Sequence, residues 1–221
     1  MILGGAPGEI IAYTDNDCLF YPGWLSRCVE ILETYPKVGM VTARPYRTKP
    51  EYYTSTLDWA RGNPEVPIER GDIIPWETFL EFDLSLGQSE DEIRQHYQSS
   101  EDIRMTYRGI KAIAGASHWQ FVAHKQVLQR YLPFTMDRPM GQVRQLDQRM
   151  NDDGYLRLMP DKPYAMNMSN TLPGVNAAEK PADTKNEAGG LSWMLDLPPI
   201  RRSLLFIYDK IFRWYYDRQQ G

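Results

Sequence analysis

The chain has 221 residues, of which 42% are hydrophobic and 24% charged, and its formal net charge is −4. This composition is typical of a globular protein with one domain or slightly more and enough apolar mass for a core. The charge argues against a general nucleic-acid-binding protein, while local basic clusters leave room for anionic ligands. No run approaches the roughly 18 apolar residues of a membrane-spanning helix. With only two cysteines, a reducing cytoplasmic setting fits best.

The first part of the chain alternates strand and helix patterns. Residues 9–14 are apolar and β-branched and predict a short buried strand, and residues 22–35 predict a helix that Pro36 ends. A second apolar strand is predicted over 38–43. Strand, acidic turn, helix and strand in this order are typical of a parallel α/β unit.

The middle of the chain predicts a long surface insertion, at about 44–100. Its first part, 44–75, is rich in proline and tyrosine and predicts irregular structure. A solvated lid is the simplest interpretation, and long loops of this kind often carry specificity. The predicted helices inside it are 52–61, 76–86 and 89–98, the last with a capping box of Ser89 and Glu92.

The last part of the chain returns to strands and ends in a helix. Residues 110–125 have β character, and the segment "KQVLQRYL" predicts a short helix after them. The remaining predictions are a helix over 142–155 ended by Gly154, short strands at "YLRLMP" and "YAMNMS", a linker over 172–190, and an aromatic amphipathic helix within 191–221.

Two carboxylates follow the first strand directly. Asp15 and Asp17 are two residues apart, so in an extended segment both side chains face the same side. Ligands of open α/β sheets usually bind at the carboxyl ends of strands. Two carboxylates at one spot repel unless a cation joins them, and Mg²⁺ or Mn²⁺ suits such oxygen ligands. An ordinary turn is the alternative, because Asp-Asn-Asp is also good turn chemistry.

Asp147 lies on the apolar face of the helix predicted over 142–155. A step of 100° per residue places Val143, Leu146 and Met150 on one face and Asp147 within that stripe. An ionised carboxylate on an inward face needs a partner or a catalytic task. The sequence leaves two interpretations open, a general base at the rim of a cleft and a buried ion pair with a nearby arginine.

His118 is the third candidate, in the segment "GASHWQFV", beside Trp119 and just after a Gly-Ala-Ser turn. A half-buried histidine with satisfied hydrogen bonds is the structural interpretation. No second histidine lies at ligand spacing, which argues against a zinc site.

Three segments together resemble family-2 glycosyltransferases with the GT-A fold: "GEIIAYTDNDCLFYPGWLSRCVEILETYPKVGMVTARP", "GASHWQFVAHKQVLQRYLPF" and "QVRQLDQRMNDDGYLRL". Similar enzymes carry an apolar strand, D-x-D, "pGWL" and a helix, and later an acidic residue on a helix followed by a basic residue and "Gy". The resemblance implies a Rossmann-like α/β domain over 1–171, with a mixed sheet and flanking helices. It implies transfer of a sugar from a nucleotide-sugar donor to a glycan or lipid-linked acceptor.

The resemblance also implies roles for individual residues. Asp15 and Asp17 match the D-x-D that holds Mn²⁺ or Mg²⁺ on the donor diphosphate, and Asp147 matches the base that deprotonates the acceptor hydroxyl during inverting transfer. Asn167 matches a position where similar enzymes often carry a histidine near the metal or diphosphate. His118 completes the expected donor-binding set.

Similar enzymes begin with a nucleotide-binding half, whereas this chain starts almost at the D-x-D strand. The resemblance therefore implies the C-terminal portion of such an enzyme. A non-catalytic remnant that binds a partner is the alternative function, and a D-x-D nucleotidyltransferase is a third. Residues 199–217 predict a basic, aromatic helix that docks on an anionic membrane surface or packs back on the domain.

Overall fold

The structure is a computed structural model that describes residues 5–132, residues 141–168 and Lys210. The chain divides into two compact units, and the first, residues 1–133 with 144–173, holds every described strand. The second unit, residues 134–143 with 174–221, lies almost entirely outside the described residues. The predicted linker over 172–190 lies outside them too, as does the predicted C-terminal helix apart from Lys210.

The described helices and strands follow the predicted order, with three additional strands. They are β1 (Ile10–Thr14), β2 (Cys18–Phe20), α1 (Trp24–Thr34), β3 (Val38–Val41), α2 (Thr54–Arg61), β4 (Ile68–Gly71), α3 (Trp76–Ser85), α4 (Glu90–Ser99), β5 (Asp102–Tyr107), β6 (Ile110–Ala114), β7 (Gln120–His124), α5 (Lys125–Leu128), α6 (Gly141–Asp152), β8 (Leu156–Met159) and β9 (Ala165–Asn167). The strands β2, β4 and β5 were not predicted.

Seven strands form one mixed sheet in the order β1-β7-β3-β8-β6-β5-β4, and β2 pairs with β9 in a second, two-stranded sheet. Only β3 and β8 pair in parallel; the other ladders of the large sheet are antiparallel. Because β7 is antiparallel to both β1 and β3, those two strands run in the same direction, as the strand–helix–strand pattern predicted. The fold class is α/β, as expected, with a Rossmann-like mixed sheet flanked by helices.

The main core lies between this sheet and the helices α1 and α2. Apolar residues at i, i+3 and i+4 spacing bury one face of α1, and the central strands β3 and β8 are buried along their whole length. The buried side chains of this cluster include Cys28, Ile31, Leu32, Val38, Val41, Leu57, Leu156 and Leu158. Burial raises the pKa of the Cys28 thiol to about 12, so this cysteine behaves as a core residue.

The segment 44–100 is not a solvated lid, which corrects the sequence interpretation. Its strand β4 extends the sheet through an antiparallel ladder with β5. Its helices α3 and α4 build a second buried cluster, whose members include Tyr46, Ile74, Phe79, Phe82 and Ile93. The sequence hid this strand because β4 has no apolar alternation: it reads Ile-Glu-Arg-Gly and is largely exposed. The predicted capping box of Ser89 and Glu92 is present at the start of α4.

A buried ion pair fixes this segment to the sheet. Arg47 Nε lies 2.8 Å from Asp102 Oδ1, and the two side chains are 3% and 1% exposed. The other carboxylate oxygen of Asp102 accepts hydrogen bonds from the backbone N–H groups of Ile73 and Ile74, at 2.9 and 2.8 Å. The Asp102 carboxylate therefore has an ion-pair partner in Arg47 and hydrogen bonds from two backbone N–H groups. A buried charge needs such partners to offset its desolvation.

Within the described part of the chain, no helix is both long and apolar enough to cross a membrane.

The Arg47–Asp102 pair generates a stability prediction. We expect Asp102→Asn to lower the free energy of unfolding by about 3 kcal/mol, because it leaves the buried Arg47 guanidinium undercompensated. Glu69→Gln is the matched control: Glu69 on β4 pairs with Arg104 on β5 at 2.5 Å, but in a solvent-exposed position. The Glu69→Gln variant should have nearly the same midpoint of urea unfolding as the parent chain. Equal midpoints for the two variants would contradict a core role for the segment.

Candidate active site

The Asp15 and Asp17 pair lies directly beyond the end of β1, as the sequence predicted. Asp15 is exposed, and its backbone N–H donates to the carbonyl oxygen of Trp119 at 2.9 Å. The Tyr13 hydroxyl donates to Asp15 Oδ1 at 3.1 Å. The backbone oxygen of Asp17 accepts a hydrogen bond from the N–H of Met168 at 2.7 Å. The acidic turn is thus tied to the segments before β7 and after β9.

Asn167 lies beside this turn. In the ladder between β2 and β9, Asn167 pairs with Cys18, the residue after Asp17. Its side chain is largely buried, with 7% of the residue exposed. The two-stranded sheet therefore brings the predicted D-x-D and the predicted asparagine together, although about 150 residues separate them in the chain.

Asp147 and His118 are in direct contact. His118 Nδ1 lies 2.7 Å from Asp147 Oδ2, and the second carboxylate oxygen, Oδ1, accepts from Arg157 Nη2, also at 2.7 Å. The Asp147 side chain is 6% exposed and that of Arg157 1%, whereas His118 keeps 25% of its side chain exposed. The buried ion pair considered for Asp147 is therefore present, and the histidine shares it. A catalytic role for Asp147 stays a prediction.

Local structure explains why these three groups meet. Asp147 follows Leu146 on the buried face of α6, one turn before Met150. Arg157 lies on β8, the middle strand of the sheet, and its guanidinium also donates to the carbonyls of Tyr52, at 2.6 Å, and Ala116. Since Ala116 is two residues from His118, the guanidinium holds the loop that carries the imidazole as well as the carboxylate.

Buried polar atoms in or near this network that have no hydrogen-bond partner among the described residues include the Tyr46 hydroxyl, Trp119 Nε1 and Arg157 Nε. The rings of Tyr46 and Trp119 contact each other edge to face, with centroids 6.3 Å apart. Burial raises the pKa of Tyr46, and the nearby side chains of Ser117 and Trp119 act in the opposite direction. A protonated phenol and an indole N–H left unpaired are polar groups that a water or ligand hydroxyl would satisfy.

A divalent metal at the acidic turn stays a prediction, and such a metal would need substrate oxygens to complete its coordination. Among the described residues, no three histidine, cysteine or acidic side chains cluster closely enough to form a metal site by themselves. Mg²⁺ and Mn²⁺ commonly bind through one or two carboxylates, with waters and substrate phosphates as the remaining ligands. Asp15, Asp17 and the amide oxygen of Asn167 provide oxygen atoms of this kind.

A cavity of about 850 Å³ opens in the segment 44–103, and none of the five predicted site residues lines it. Its walls carry Arg47, Lys49, Arg61 and Arg70. Arg47 already pairs with Asp102 and Asp72, so its charge is balanced within the protein. The residues beyond β1 and on α6 remain the better candidate site because they combine carboxylates, an imidazole and unpaired buried donors.

Sequence reasoning missed Arg157, the residue that organises the network. The signal was present in "YLRLMP", where an arginine interrupts an otherwise apolar strand. All four residues of β8 are buried, so a charge there must have a partner. Which carboxylate pairs with Arg157 depends on contacts between α6 and β8, which periodicity along either segment does not report.

Comparisons of the chain with known protein families, with curated proteins and with solved structures find no match. What the site can do must therefore be judged from its own residues.

The network generates a second stability prediction. We expect Arg157→Met to lower the free energy of unfolding by about 3 kcal/mol or more, because it removes the cation beside a buried carboxylate and leaves two carbonyls without a donor. Arg149→Met, on the exposed face of α6, is the matched control and should change stability little. Urea unfolding followed by circular dichroism measures both. Equal losses would contradict the central role of Arg157.

Proposed function

We propose that the protein is a glycosyltransferase, or the C-terminal portion of one. It moves a sugar from a nucleotide-sugar donor to an acceptor hydroxyl, with inversion at the anomeric carbon. One observation supports the proposal: the residues that the sequence resemblance identifies lie in segments that contact one another in the structure. The turn with Asp15 and Asp17 contacts the loop of His118 through Trp119 and the strand of Asn167 through β2. His118 in turn contacts Asp147.

The donor diphosphate belongs at the acidic turn in this proposal. Mn²⁺ or Mg²⁺ bound by Asp15 and Asp17 would supply charge stabilisation for the departing phosphate oxygens. Asn167 offers a side-chain oxygen and amide beside them. The exposed position of Asp15 leaves its carboxylate accessible to a ligand.

The acceptor hydroxyl belongs at the His118–Asp147 pair. Proton removal by a positioned side chain typically accelerates such a step by 10²–10⁴-fold. The pair sits on α6 and in the loop before β7, next to the acidic turn, so donor and acceptor would meet at one end of β1. A glycan or lipid-linked acceptor, as in the synthesis of cell-surface polysaccharides, fits the resemblance.

The C-terminal segment supports a location at the cytoplasmic face of a membrane. Residues 199–218 carry five basic and two acidic side chains, a net charge of +3 in a chain whose total is −4. Basic residues combined with aromatic and aliphatic ones on one helix suit anionic lipid headgroups. This segment would bring the enzyme to a lipid-linked acceptor.

The first functional prediction concerns the metal. Titration calorimetry of the chain with UDP or GDP should show binding that requires MnCl₂ or MgCl₂. The double variant Asp15→Ala, Asp17→Ala should weaken it by roughly tenfold or more, a loss of about 1.4 kcal/mol. The control Asp58→Ala, Asp91→Ala removes two exposed carboxylates elsewhere and should bind like the parent chain. Unchanged affinity in the Asp15, Asp17 variant would reject the D-x-D assignment.

The second functional prediction concerns binding to a membrane surface. The chain should co-sediment with vesicles containing about 30% phosphatidylserine and not with purely zwitterionic vesicles, and about 0.5 M salt should release it. A chain truncated before residue 199 should stay in the supernatant with both. If the intact chain also stays in the supernatant, and truncation lowers the melting temperature, the segment packs on the protein and the membrane location is wrong.

A further inference from the structure

We propose that His118 Nε2 is the atom that accepts the proton of the acceptor hydroxyl, and that Asp147 acts through His118 as a positioning residue. The inference rests on the proposed glycosyl transfer and changes the role that the sequence resemblance gives to Asp147. Its basis is the geometry of the three-residue network of His118, Asp147 and Arg157.

The carboxylate of Asp147 has no oxygen well placed for a substrate. Oδ1 is bonded by Arg157 and Oδ2 by His118, both at 2.7 Å, and 6% of the side chain is exposed. A general base must come within hydrogen-bond reach of the proton that it removes. Because the Asp147 side chain is 6% exposed and each oxygen already accepts one hydrogen bond, an acceptor hydroxyl has little access to the carboxylate.

The imidazole is the part of the network that solvent reaches. His118 is 25% exposed at its side chain, and Asp147 engages its Nδ1. The remaining ring nitrogen, Nε2, has no hydrogen-bond partner among the residues that the structure describes. Nε2 is therefore the ring nitrogen that is open to a hydroxyl.

The partner at Nδ1 also sets the tautomer. The Arg157 guanidinium donates to Asp147 Oδ1, and a carboxylate paired with arginine has only acceptor oxygens, so Oδ2 accepts a hydrogen bond from the imidazole. In a neutral imidazole one nitrogen carries the proton and the other carries a lone pair. Asp147 therefore holds the proton on Nδ1, which leaves the lone pair on Nε2 facing outward.

The location agrees with this role. His118 precedes Trp119, whose carbonyl accepts the N–H of Asp15, so the imidazole is one residue from the contact with the D-x-D turn. Trp119 is the next residue, its Nε1 has no hydrogen-bond partner among the described residues, and its ring contacts that of Tyr46. A base beside the donor diphosphate, with unsatisfied donors around it, is a suitable position for an attacking hydroxyl.

The acceptor oxygen forms a bond to the anomeric carbon while its proton moves to His118 Nε2. The bond between that carbon and the diphosphate oxygen breaks, and its electron pair stays on the leaving oxygen. The imidazolium that forms is stabilised by the Asp147 carboxylate, and it returns the proton to solvent after the product leaves.

The experiment compares three single variants of the intact chain with one set of donors. Nucleoside diphosphate release from UDP- and GDP-sugars is measured with water or added sugar alcohols as acceptor. His118→Ala should lose at least about 10²-fold in kcat while nucleoside diphosphate affinity is kept. Asp147→Asn should lose less than His118→Ala. His124→Ala, whose imidazole lies 3.5 Å from the exposed Glu33, is the matched control and should keep its turnover.

Chemical rescue separates a base from a structural histidine. Added imidazole should restore part of the turnover of His118→Ala and leave the turnover of His124→Ala and Asp147→Asn unchanged. Nitrogen-15 NMR of the parent chain should show the proton of His118 on Nδ1, and Asp147→Asn should abolish this preference. The NMR readout does not depend on knowing the donor.

The outcomes separate the two proposals. If the parent chain transfers sugar and His118→Ala keeps most of its turnover while Asp147→Asn loses it, Asp147 is the base and the inference is overturned. If His118 carries its proton on Nε2, the inference is overturned as well. If the parent chain neither transfers sugar nor binds nucleoside diphosphate with metal, the proposed glycosyl transfer itself is wrong, whatever the tautomer.

Discussion

Arg157 places a guanidinium in the middle strand of the seven-stranded sheet, with 1% of its side chain exposed. A charge buried this deeply persists only where an anion and hydrogen-bond acceptors surround it. Asp147 provides the anion, and the carbonyls of Tyr52 and Ala116 accept further hydrogen bonds. These partners come from α6, the turn before α2 and the loop after β6. One side chain therefore fixes the relative positions of three segments that are distant in the chain.

Two other buried arginines also bond several backbone carbonyls, and they hold the segment 44–100 in place. Arg47 pairs with Asp102 and donates to the carbonyls of Tyr97 and Ser100 at 2.6 and 2.7 Å. Arg44 is fully buried and donates to the carbonyls of Ala165 and Thr78 at 3.0 and 2.6 Å. Each guanidinium joins at least two backbone segments because its planar fork presents several donors at once. The segment is thereby part of the folded core, although its sequence resembles that of a surface loop.

The interaction that stabilises the sheet also shapes the candidate site. Arg157 neutralises the Asp147 carboxylate, and that carboxylate orients His118 towards solvent. A catalytic side chain performs best when neighbouring groups lock its position before substrate arrives. Hydrogen bonds from Arg157 to Asp147 and to two backbone carbonyls stabilise the buried ion pair. The same carboxylate then positions the exposed imidazole. Stability and the proposed chemistry thus depend on the same three side chains.

The sequence by itself determined the local features: the strand before the D-x-D turn, the capping box of α4, and the inward position of Asp147 on its helix. These follow from periodicity and capping chemistry, which neighbouring residues set. Only the tertiary structure decided that β7 lies between β1 and β3, that the 44–100 segment is core, and that Asp147 joins both Arg157 and His118. A periodic pattern shows that a side chain faces inward, but its partner is set by contacts between residues far apart in the chain.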